Sequence, residues 1–278
     1  MSQRALARIW RPGRPSVMGI LNVTPDSFSD GGRFPTAGEA VGHALAMIAA
    51  GADIVDVGGE STRPGSEGVD DAVEAGRVLP VIAELLRRRP SAVISADTSK
   101  ARVADAALAA GAALVNDVSA GRDPGMFEAV ARRGAGIVLM HMRGAPRTMQ
   151  RDTAYADVVA EVHEFLASRA AAAVAAGISP EHVMLDPGIG FGKDLEGNLR
   201  LLAALPDLAA LGHPVVVGAS RKSFIAKIAG ESDPGFRLAG SLAAIAGATR
   251  LARTIVRVHD VAETVQFLAV LGALEGAA

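Results

Sequence analysis

The sequence predicts an α/β protein folded as a single (β/α)8 barrel. Short aliphatic and β-branched runs, typical of strands, alternate with longer Ala-rich stretches of helical period. Eight such strand–helix units in roughly 260 residues are the number that closes a barrel. The strand runs are almost continuously apolar, as in parallel sheets whose two faces are both buried. An open, doubly wound sheet built from the same elements is the alternative.

Each element follows from this alternation. The predicted strands are Val17–Leu21, Ile54–Val57, Val93–Ala96, Leu114–Val115, Ile137–Met140, Val183–Leu185, Val215–Val217 and Ile255–Val258. The predicted helices lie near residues 37–50, 70–88, 100–110, 124–133, 154–176, 196–210, 221–229, 238–252 and 260–273. Several helices end at a glycine, which adopts left-handed backbone at a helix C-terminus at little cost. These glycines are Gly51, Gly111, Gly134, Gly177 and Gly212.

The composition bounds the domain organisation and the partners. The chain has 278 residues, of which 50% are apolar, and no linker rich in Ser, Pro or Gly divides it. We therefore predict one domain over residues 1–278, with residues 1–16 as an N-terminal extension. The net charge of −2 gives no basic excess for binding nucleic acid. No apolar run approaches the roughly 18 residues that span a bilayer, so we expect no membrane association.

Cysteine is absent from the sequence. This excludes disulfides, thiolate metal sites and cysteine nucleophiles. The Arg-rich N-terminus resembles a transit peptide in composition, but it lacks the continuous apolar segment of a signal peptide. We expect a cytoplasmic protein.

Nearly every predicted strand is followed by a polar residue. These residues are Asn22, Asp56, Asp97, Asn116, His141, Asp186, Ser220 and His259. In a barrel they meet at the C-terminal mouth, where the active site of this fold lies. Any one of them could be a turn or N-cap residue. A ring of eight favours a functional site.

Lysine is rare, with only four among the 28 basic residues. We interpret Lys100 and Lys227 as solvated helix charges, whereas Lys193 and Lys222 lie in loops that contain Gly or Ser. The segment Gly188–Lys193 (GIGFGK) has neither P-loop nor G-x-G-x-x-G spacing. These loops therefore indicate a functional site without identifying a nucleotide.

Two groups of polar residues indicate the substrate chemistry. Two carboxylates, an amide and an ammonium suit the edge of a flat heterocycle that has paired N–H donors and a carbonyl. They belong to Asp97, Asn116, Asp186 and Lys222. A second group suits an anion and consists of Thr62, Arg63, Ser220, Arg221, Arg257 and His259, with Asn22 as a neutral oxygen ligand. Oxygen ligation beside phosphate is typical of Mg²⁺, so the residues predict an enzyme for a planar heterocycle bearing phosphates.

Nine segments match, in order, the motifs of one enzyme family. They are Met18–Gly32 (MGILNVTPDSFSDGG), Asp56–Gly65 (DVGGESTRPG), Ser95–Thr98 (SADT), Val115–Ser119 (VNDVS), Met140–Gln150 (MHMRGAPRTMQ), Asp186–Lys193 (DPGIGFGK), Gly218–Phe224 (GASRKSF), Arg237–Ala244 (RLAGSLAA) and Arg257–Val261 (RVHDV). On these motifs the sequence resembles the dihydropteroate synthases of folate biosynthesis. The departures at Ala96, Ile189 and Ala239 remove no polar group.

The resemblance implies a reaction and a set of site residues. The family joins 6-hydroxymethyl-7,8-dihydropterin pyrophosphate to p-aminobenzoate, releasing pyrophosphate with the help of Mg²⁺. The implied pterin-binding residues are Asp97, Asn116, Met140, Asp186, Phe191 and Lys222. The implied pyrophosphate-binding residues are Asn22, which would also hold Mg²⁺, Thr62, Arg63, Arg257 and His259. The implied p-aminobenzoate-binding residues are Phe28, Pro64, Ser220, Arg221 and Lys222.

The resemblance also implies a mechanism and an assembly. Asp30 would stabilise positive charge on the pterin, and Lys222, Arg257 and His259 would complete the catalytic set. We expect a dissociative substitution in which the C–O bond breaks before the aniline nitrogen attacks. A homodimer is implied, with apolar faces near 242–251 and 260–271 as candidate contacts. The alternatives are a catalytically silent pterin-binding paralogue and a pterin-dependent corrinoid methyltransferase, which the long first loop disfavours.

Overall fold

Eight parallel strands close into one barrel, each strand pairing with its neighbours in chain order. The computed structural model describes residues 5–24, 37–61, 65–66, 68–231 and 233–277. The strands are β1 (Ser16–Asn22), β2 (Ile54–Gly58), β3 (Ile94–Asp97), β4 (Leu114–Asp117), β5 (Gly136–Met140), β6 (Val183–Asp186), β7 (Val215–Val217) and β8 (Thr254–Val258). Strand β1 pairs with both β2 and β8. The predicted barrel is therefore confirmed, and the open sheet is wrong.

Helices on the outside of the barrel connect the strands. Those in the described residues are α1 (Ala37–Ala49), α2 (Asp71–Arg88), α3 (Ala101–Ala109), α4 (Met126–Arg133), α5 (Val158–Ala175), α6 (Leu195–Ala203), α7 (Leu205–Ala209), α8 (Ser223–Ala229), α9 (Leu238–Ile245) and α10 (Val261–Glu275). Short 3-10 helices occupy Pro180–His182, Pro234–Phe236 and Ala246–Arg250. Across the described ranges, no helix is long and apolar enough to cross a membrane.

Three helix predictions differ from the structure for local reasons. The helix predicted from residue 154 begins at Val158, because the Asp157 side chain caps it by accepting from two backbone N–H groups of the first turn. The single helix predicted over 196–210 is two helices. Pro206 lacks a backbone N–H donor and lies in the first turn of α7. The helix predicted over 238–252 is α-helical only to Ile245 and continues as a tighter 3-10 turn.

The N-terminal segment closes the end of the barrel where the strands begin. Leu6 and Ile9 are buried against Met18 and Ile54 in one apolar cluster. The Asp53 carboxylate accepts from Arg11 Nε (2.6 Å), from Arg14 Nη1 (2.9 Å) and from the β1 backbone N–H of residue 17 (2.9 Å). These contacts attach the segment to β1 and β2, and the opposite end holds the polar residues described next. The single-domain boundary with its extension over 1–16 stays a prediction.

Candidate functional site

Strand register brings the predicted polar residues into a shared layer at the C-terminal mouth. Asp97 at the end of β3 pairs in register with Asn116 of β4 and with Gly58 of β2. Asp186 at the end of β6 is in register with Met140 at the end of β5. All of these side chains are buried. The barrel therefore brings together residues as distant in the sequence as Asp97 and Asp186, which are 89 positions apart.

Arg257 of β8 is the centre of an ion-pair network. Its Nε donates to Asp56 Oδ2 and its Nη2 donates to Asp97 Oδ2, both at 2.7 Å. Asn116 Nδ2 donates to the same Asp56 oxygen at 3.0 Å. Burial raises the pKa of Asp97, and Arg257 opposes that rise. Burial would lower the pKa of Arg257, but Asp56 and Asp97 outweigh it and the pKa is raised.

This network joins residues that the sequence assigned to separate groups. Asp97 and Asn116 were predicted to bind the pterin and Arg257 the pyrophosphate. In the structure Arg257 donates directly to Asp97, and Asp56 links Arg257 to Asn116. Asp56 was noted only as a strand-end residue and was not assigned to the site. Its complete burial beside an arginine that lies 201 positions away is a property of the fold.

A cation and an aromatic ring form another part of the mouth. Lys222 Nζ lies 3.8 Å from the centroid of the Phe191 ring. Burial lowers the pKa of Lys222 to about 8, and Arg257 adds to the effect while Asp186 opposes it. Phe191 also packs against a methionine-rich apolar cluster that includes Met140. The predicted pterin residues thus provide one polar edge and one apolar wall.

Asp186 ends β6 and is in register with Met140 of this wall. Its Oδ1 accepts from the Gly188 backbone N–H at 2.7 Å. Burial raises the pKa of Asp186, and that hydrogen bond, Lys222 and Arg257 oppose the rise. An ionised carboxylate here can accept two parallel N–H groups of a heterocycle.

His259 and Ser220 form a hydrogen-bonded pair. Ser220 Oγ lies 3.0 Å from His259 Nδ1 and accepts from the His259 backbone N–H at 3.2 Å. Burial and then Arg257 lower the pKa of His259 to about 4. The imidazole is therefore neutral at pH 7, so the hydroxyl can donate to Nδ1 and leave Nε2–H as a donor.

Arg221 is in the left-handed backbone region, with φ of 59°. Such a conformation is uncommon outside glycine and is typical of functional turns. Its guanidinium pairs with Asp260, with Nε 3.0 Å from Oδ2, and its backbone N–H donates to Ser241 Oγ at 2.9 Å. Arg221 is thus ion-paired with Asp260, which follows His259 in the sequence, and it does not belong to the described Arg257 network.

Several predicted site residues lie outside the described residues. They are Phe28, Asp30, Thr62, Arg63 and Pro64. Asn22 is described and lies at the end of β1, half-buried. A Cβ added at Gly58 would lie 3.6 Å from Asn22 Oδ1 and 3.3 Å from Asp97 Oδ2, so these two oxygens approach over a glycine.

The oxygen donors at the mouth suit a cation that needs few protein ligands. No group of three His, Cys, Asp or Glu side chains that could hold an ion occurs in the described part of the chain. Asn22 offers one hard oxygen ligand near the Asp97 carboxylate. Mg²⁺ commonly keeps several waters and binds through one or two protein oxygens plus substrate phosphates. The residues present fit that mode of binding.

Lys100 is not the solvated helix charge that the sequence predicted. Its ammonium pairs with Glu60, just after β2, and with Glu74 of α2. The Glu74 side chain is only 2% exposed. The partners are 40 and 26 positions away, which explains why the sequence did not indicate them. Lys227 is exposed, as predicted.

A cavity of about 210 Å³ opens at the mouth beside Asp97. Its walls include Glu60, Val118, Arg122 and Met142. The mixture of carboxylate, guanidinium and apolar lining suits a planar polar ligand. The cavity thus adjoins both the Arg257 network and the methionine-rich wall.

Lys193 and His141 are a buried pair to which the sequence gave no role. Both side chains lie almost wholly out of solvent, and Lys193 Nζ is 3.0 Å from His141 Nδ1. Lys193 was singled out by its Gly-rich loop and His141 by its strand end. Neither signal showed that the two would meet.

Known proteins resemble this chain over its whole barrel. Residues 18–259 match the family described as pterin binding enzyme. The dihydropteroate synthase of Escherichia coli strain K12 is 48% identical over 259 residues, covering 93% of this chain and 91% of that protein. A structure of Xanthomonas albilineans dihydropteroate synthase with 4-aminobenzoic acid has a TM-score of 0.88 and 49% identity, covering 94% and 93% of the two chains. Another from that organism, in complex with 7,8-dihydropteroate, has a TM-score of 0.87 and 46% identity, covering 98% and 97%.

Proposed function

This chain belongs to the dihydropteroate synthase family of pterin-binding enzymes, and we propose that its barrel mouth condenses 6-hydroxymethyl-7,8-dihydropterin pyrophosphate with p-aminobenzoate. The products are 7,8-dihydropteroate and pyrophosphate. The observation that carries the proposal is the convergence of Asp186, Lys222 and Phe191 beside the Arg257 network. Similar proteins at 46–49% identity bind 4-aminobenzoic acid and 7,8-dihydropteroate.

The pterin is assigned to the polar edge between β3 and β7. The Asp186 carboxylate accepts the paired N–H donors of the ring when it is ionised, and Asn116 offers an amide for a second edge. Lys222 donates to a ring acceptor while its ammonium lies against Phe191, an attractive cation–π contact. Met140 and Phe191 then form the apolar wall against which the flat ring packs.

The departing pyrophosphate is assigned to Arg257 and His259. Among the described residues, Asp56 and Asp97 occupy two of the five N–H donors of Arg257, which leaves three for phosphate oxygens. Neutral His259 adds a donor at Nε2 while Ser220 holds its ring. Asn22 would hold Mg²⁺, which when bound neutralises charge on the pyrophosphate. Preorganised donors stabilise charge that grows as the C–O bond breaks.

The attack itself needs little help from the protein. As the bond to pyrophosphate breaks, the electron-rich dihydropterin shares positive charge with its exocyclic carbon. The aniline nitrogen of p-aminobenzoate is neutral at pH 7 and attacks that carbon, and its proton is lost afterwards. Ser220 and Lys222 lie where they can border this second substrate, and exclusion of water protects the cation.

Assembly and location belong to the same proposal. We propose a homodimer formed by the outer helices. Val270 and Leu274 of α10 support it, because their side chains are 57% and 66% exposed. Exposed large apolar side chains grouped on one face are typical of interaction surfaces. A cytoplasmic location agrees with the absence of cysteine. Sedimentation velocity tests the dimer.

The experiment that tests the reaction is product identification by mass. Purified chain is incubated with both substrates and Mg²⁺, and Asp186→Ala and the exposed-site control Asp207→Ala are run in parallel. Formation of dihydropteroate by the wild type and the control, but not by Asp186→Ala, is the expected result. Pterin binding without any product would instead favour the catalytically silent paralogue. A chain that does not bind the pterin and forms no product would contradict the proposal.

A further inference from the structure

Lys193 is a buried cation without a carboxylate in direct contact among the described residues. Its Nζ lies 3.0 Å from His141 Nδ1 and within hydrogen-bond distance of three backbone carbonyl oxygens, so its three N–H donors are shared among four acceptors. The distances are 3.2 Å to His141 O, 3.0 Å to Gly188 O and 2.8 Å to Phe191 O. All four acceptors are neutral, and Lys193 is only 3% exposed.

Burying such a charge is costly, so it needs a compensating partner. Burial lowers the pKa of Lys193 to about 7; the negative charge of Asp186 opposes this fall, and the positive charges of Lys222 and Arg143 add to it. Reciprocally, Lys193 lowers the pKa of Asp186. The lysine and the carboxylate proposed to bind the pterin therefore stabilise each other.

The same ammonium also gathers the loop that carries Phe191. Two of its acceptors are the carbonyls of Gly188 and Phe191, and the others belong to His141 at the end of β5. Gly188 has φ of +69°, and a Cβ there would lie 1.9 Å from His141 O, so backbone approaches backbone with no space between. This approach holds the loop against β5 while Phe191 faces Lys222.

The tautomer of His141 follows from these contacts. Burial, then Lys193, lowers the pKa of His141 to about 3. The ring is neutral at pH 7, so Nδ1 accepts from the ammonium and Nε2 carries the proton. The ring edge also meets Phe165, with centroids 5.0 Å apart. His141 is thus a rigid acceptor for Lys193.

We propose that Lys193 is a positioning residue for the pterin site, holding residues 188–191 in place and supplying the buried positive charge that faces Asp186. Two effects follow. The loop contacts set where Phe191 stands, and the charge keeps Asp186 in the form that accepts N–H donors. The inference rests on the proposed function, because Asp186 is there the pterin ligand.

Two substitutions separate these effects. Lys193→Gln removes the charge but keeps an amide that donates to the loop carbonyls, whereas Lys193→Met removes both. Lys227→Met, on the exposed face of α8, is the matched control. Binding of 6-hydroxymethyl-7,8-dihydropterin is measured by calorimetry between about pH 5 and 9, which spans the titrations concerned. Circular dichroism checks that each variant is folded.

The expected result is a weaker pterin complex and a displaced pH profile. Dissociation constants rise about tenfold for Lys193→Met, which corresponds to the loss of roughly one buried hydrogen bond that holds the loop, and less for Lys193→Gln, whose amide keeps donors for the loop carbonyls. For both variants the acid limb moves to higher pH, because one of the three cations that lower the pKa of Asp186 in the described part of the chain is lost and Lys222 and Arg257 remain. The control matches the wild type.

Three outcomes would overturn the inference. Folded variants whose affinities and pH profiles overlay the wild type would show that Lys193 has no role at the pterin site. A fall in melting temperature with an unmoved pH profile would show a purely structural lysine. If Lys193→Met does not fold, Lys193→Gln alone decides between these results. A wild-type protein that binds no pterin at any pH would contradict the proposed function as well.

Discussion

Asp56 is a buried residue that holds Arg257 and Asn116 by hydrogen bonds, and the substitution Asp56→Asn tests this role. The carboxylate is completely buried and accepts from Arg257 Nε at 2.7 Å and from Asn116 Nδ2 at 3.0 Å through one oxygen. Its other oxygen has no partner among the described residues. In Asp56→Asn the amide oxygen can still accept from Arg257 and Asn116, but the negative charge is lost. The new NH₂ group takes the place of the unpartnered oxygen and has no acceptor among the described residues.

The cost follows from those contacts. A hydrogen bond to a charged group contributes about 1.5–3 kcal/mol, against about 1 kcal/mol for a neutral one. Losing the charge on Asp56 beside the partly buried Arg257 should therefore cost about 2–3 kcal/mol of unfolding free energy. Among the described residues, Asp97 is then the one carboxylate that still pairs with Arg257. If the whole loss appears in the transition state, kcat/KM falls about 30- to 150-fold.

The assay combines kinetics with denaturation. Pyrophosphate release is measured in the presence of both substrates, and urea unfolding is followed on the same preparations. Asp207→Asn, at an exposed position of α7, is the control and should change neither. Lower stability with kcat/KM within about twofold of the wild type would refute a role for Asp56 in holding Arg257. No change in either quantity would refute the network itself.

Three further predictions follow from named contacts. Arg257→Ala should lower kcat about 10²- to 10³-fold, as for other lost donors to developing charge, while calorimetry still detects pterin binding; normal turnover would contradict its role. Gly188→Ala should cost about 2 kcal/mol or more, because its Cβ meets a carbonyl at 1.9 Å; the matched control is Gly212→Ala, also left-handed but with open space around it. His141→Gln should reduce the loss of stability at acid pH. Below about pH 6.5 the imidazole binds a proton in the unfolded wild type but stays neutral in the folded protein. The unfolding free energy of the wild type should therefore fall about 1–3 kcal/mol relative to that of the variant by about pH 4. Parallel pH curves would count against a buried, neutral His141.

The sequence predicted the barrel and the set of polar residues at the strand ends because both depend on local pattern. Strand-end residues such as Asp97, Asn116 and Asp186 follow directly from where each apolar run stops. Barrel closure then places them at one mouth without any knowledge of side-chain contacts. The motif resemblance assigned roles to the same positions, and the family it named is confirmed.

What the sequence could not show were pairings between distant segments. The contact of Arg257 with Asp56 spans 201 positions, and that of Lys193 with His141 spans 52. Lys100 was misread for the same reason, since its acidic partners lie on other elements. The burial of a charged residue and the identity of its partners depend on three-dimensional packing, and the sequence around the residue does not indicate either.

Pyrophosphate release with and without p-aminobenzoate tests the central claim most directly. Purified chain, Mg²⁺ and 6-hydroxymethyl-7,8-dihydropterin pyrophosphate are mixed in a coupled assay, and the second substrate is then added. We expect release to depend on p-aminobenzoate, with one dihydropteroate formed for each pyrophosphate. Tight pterin binding with no release under either condition would contradict the claim that this mouth performs the condensation.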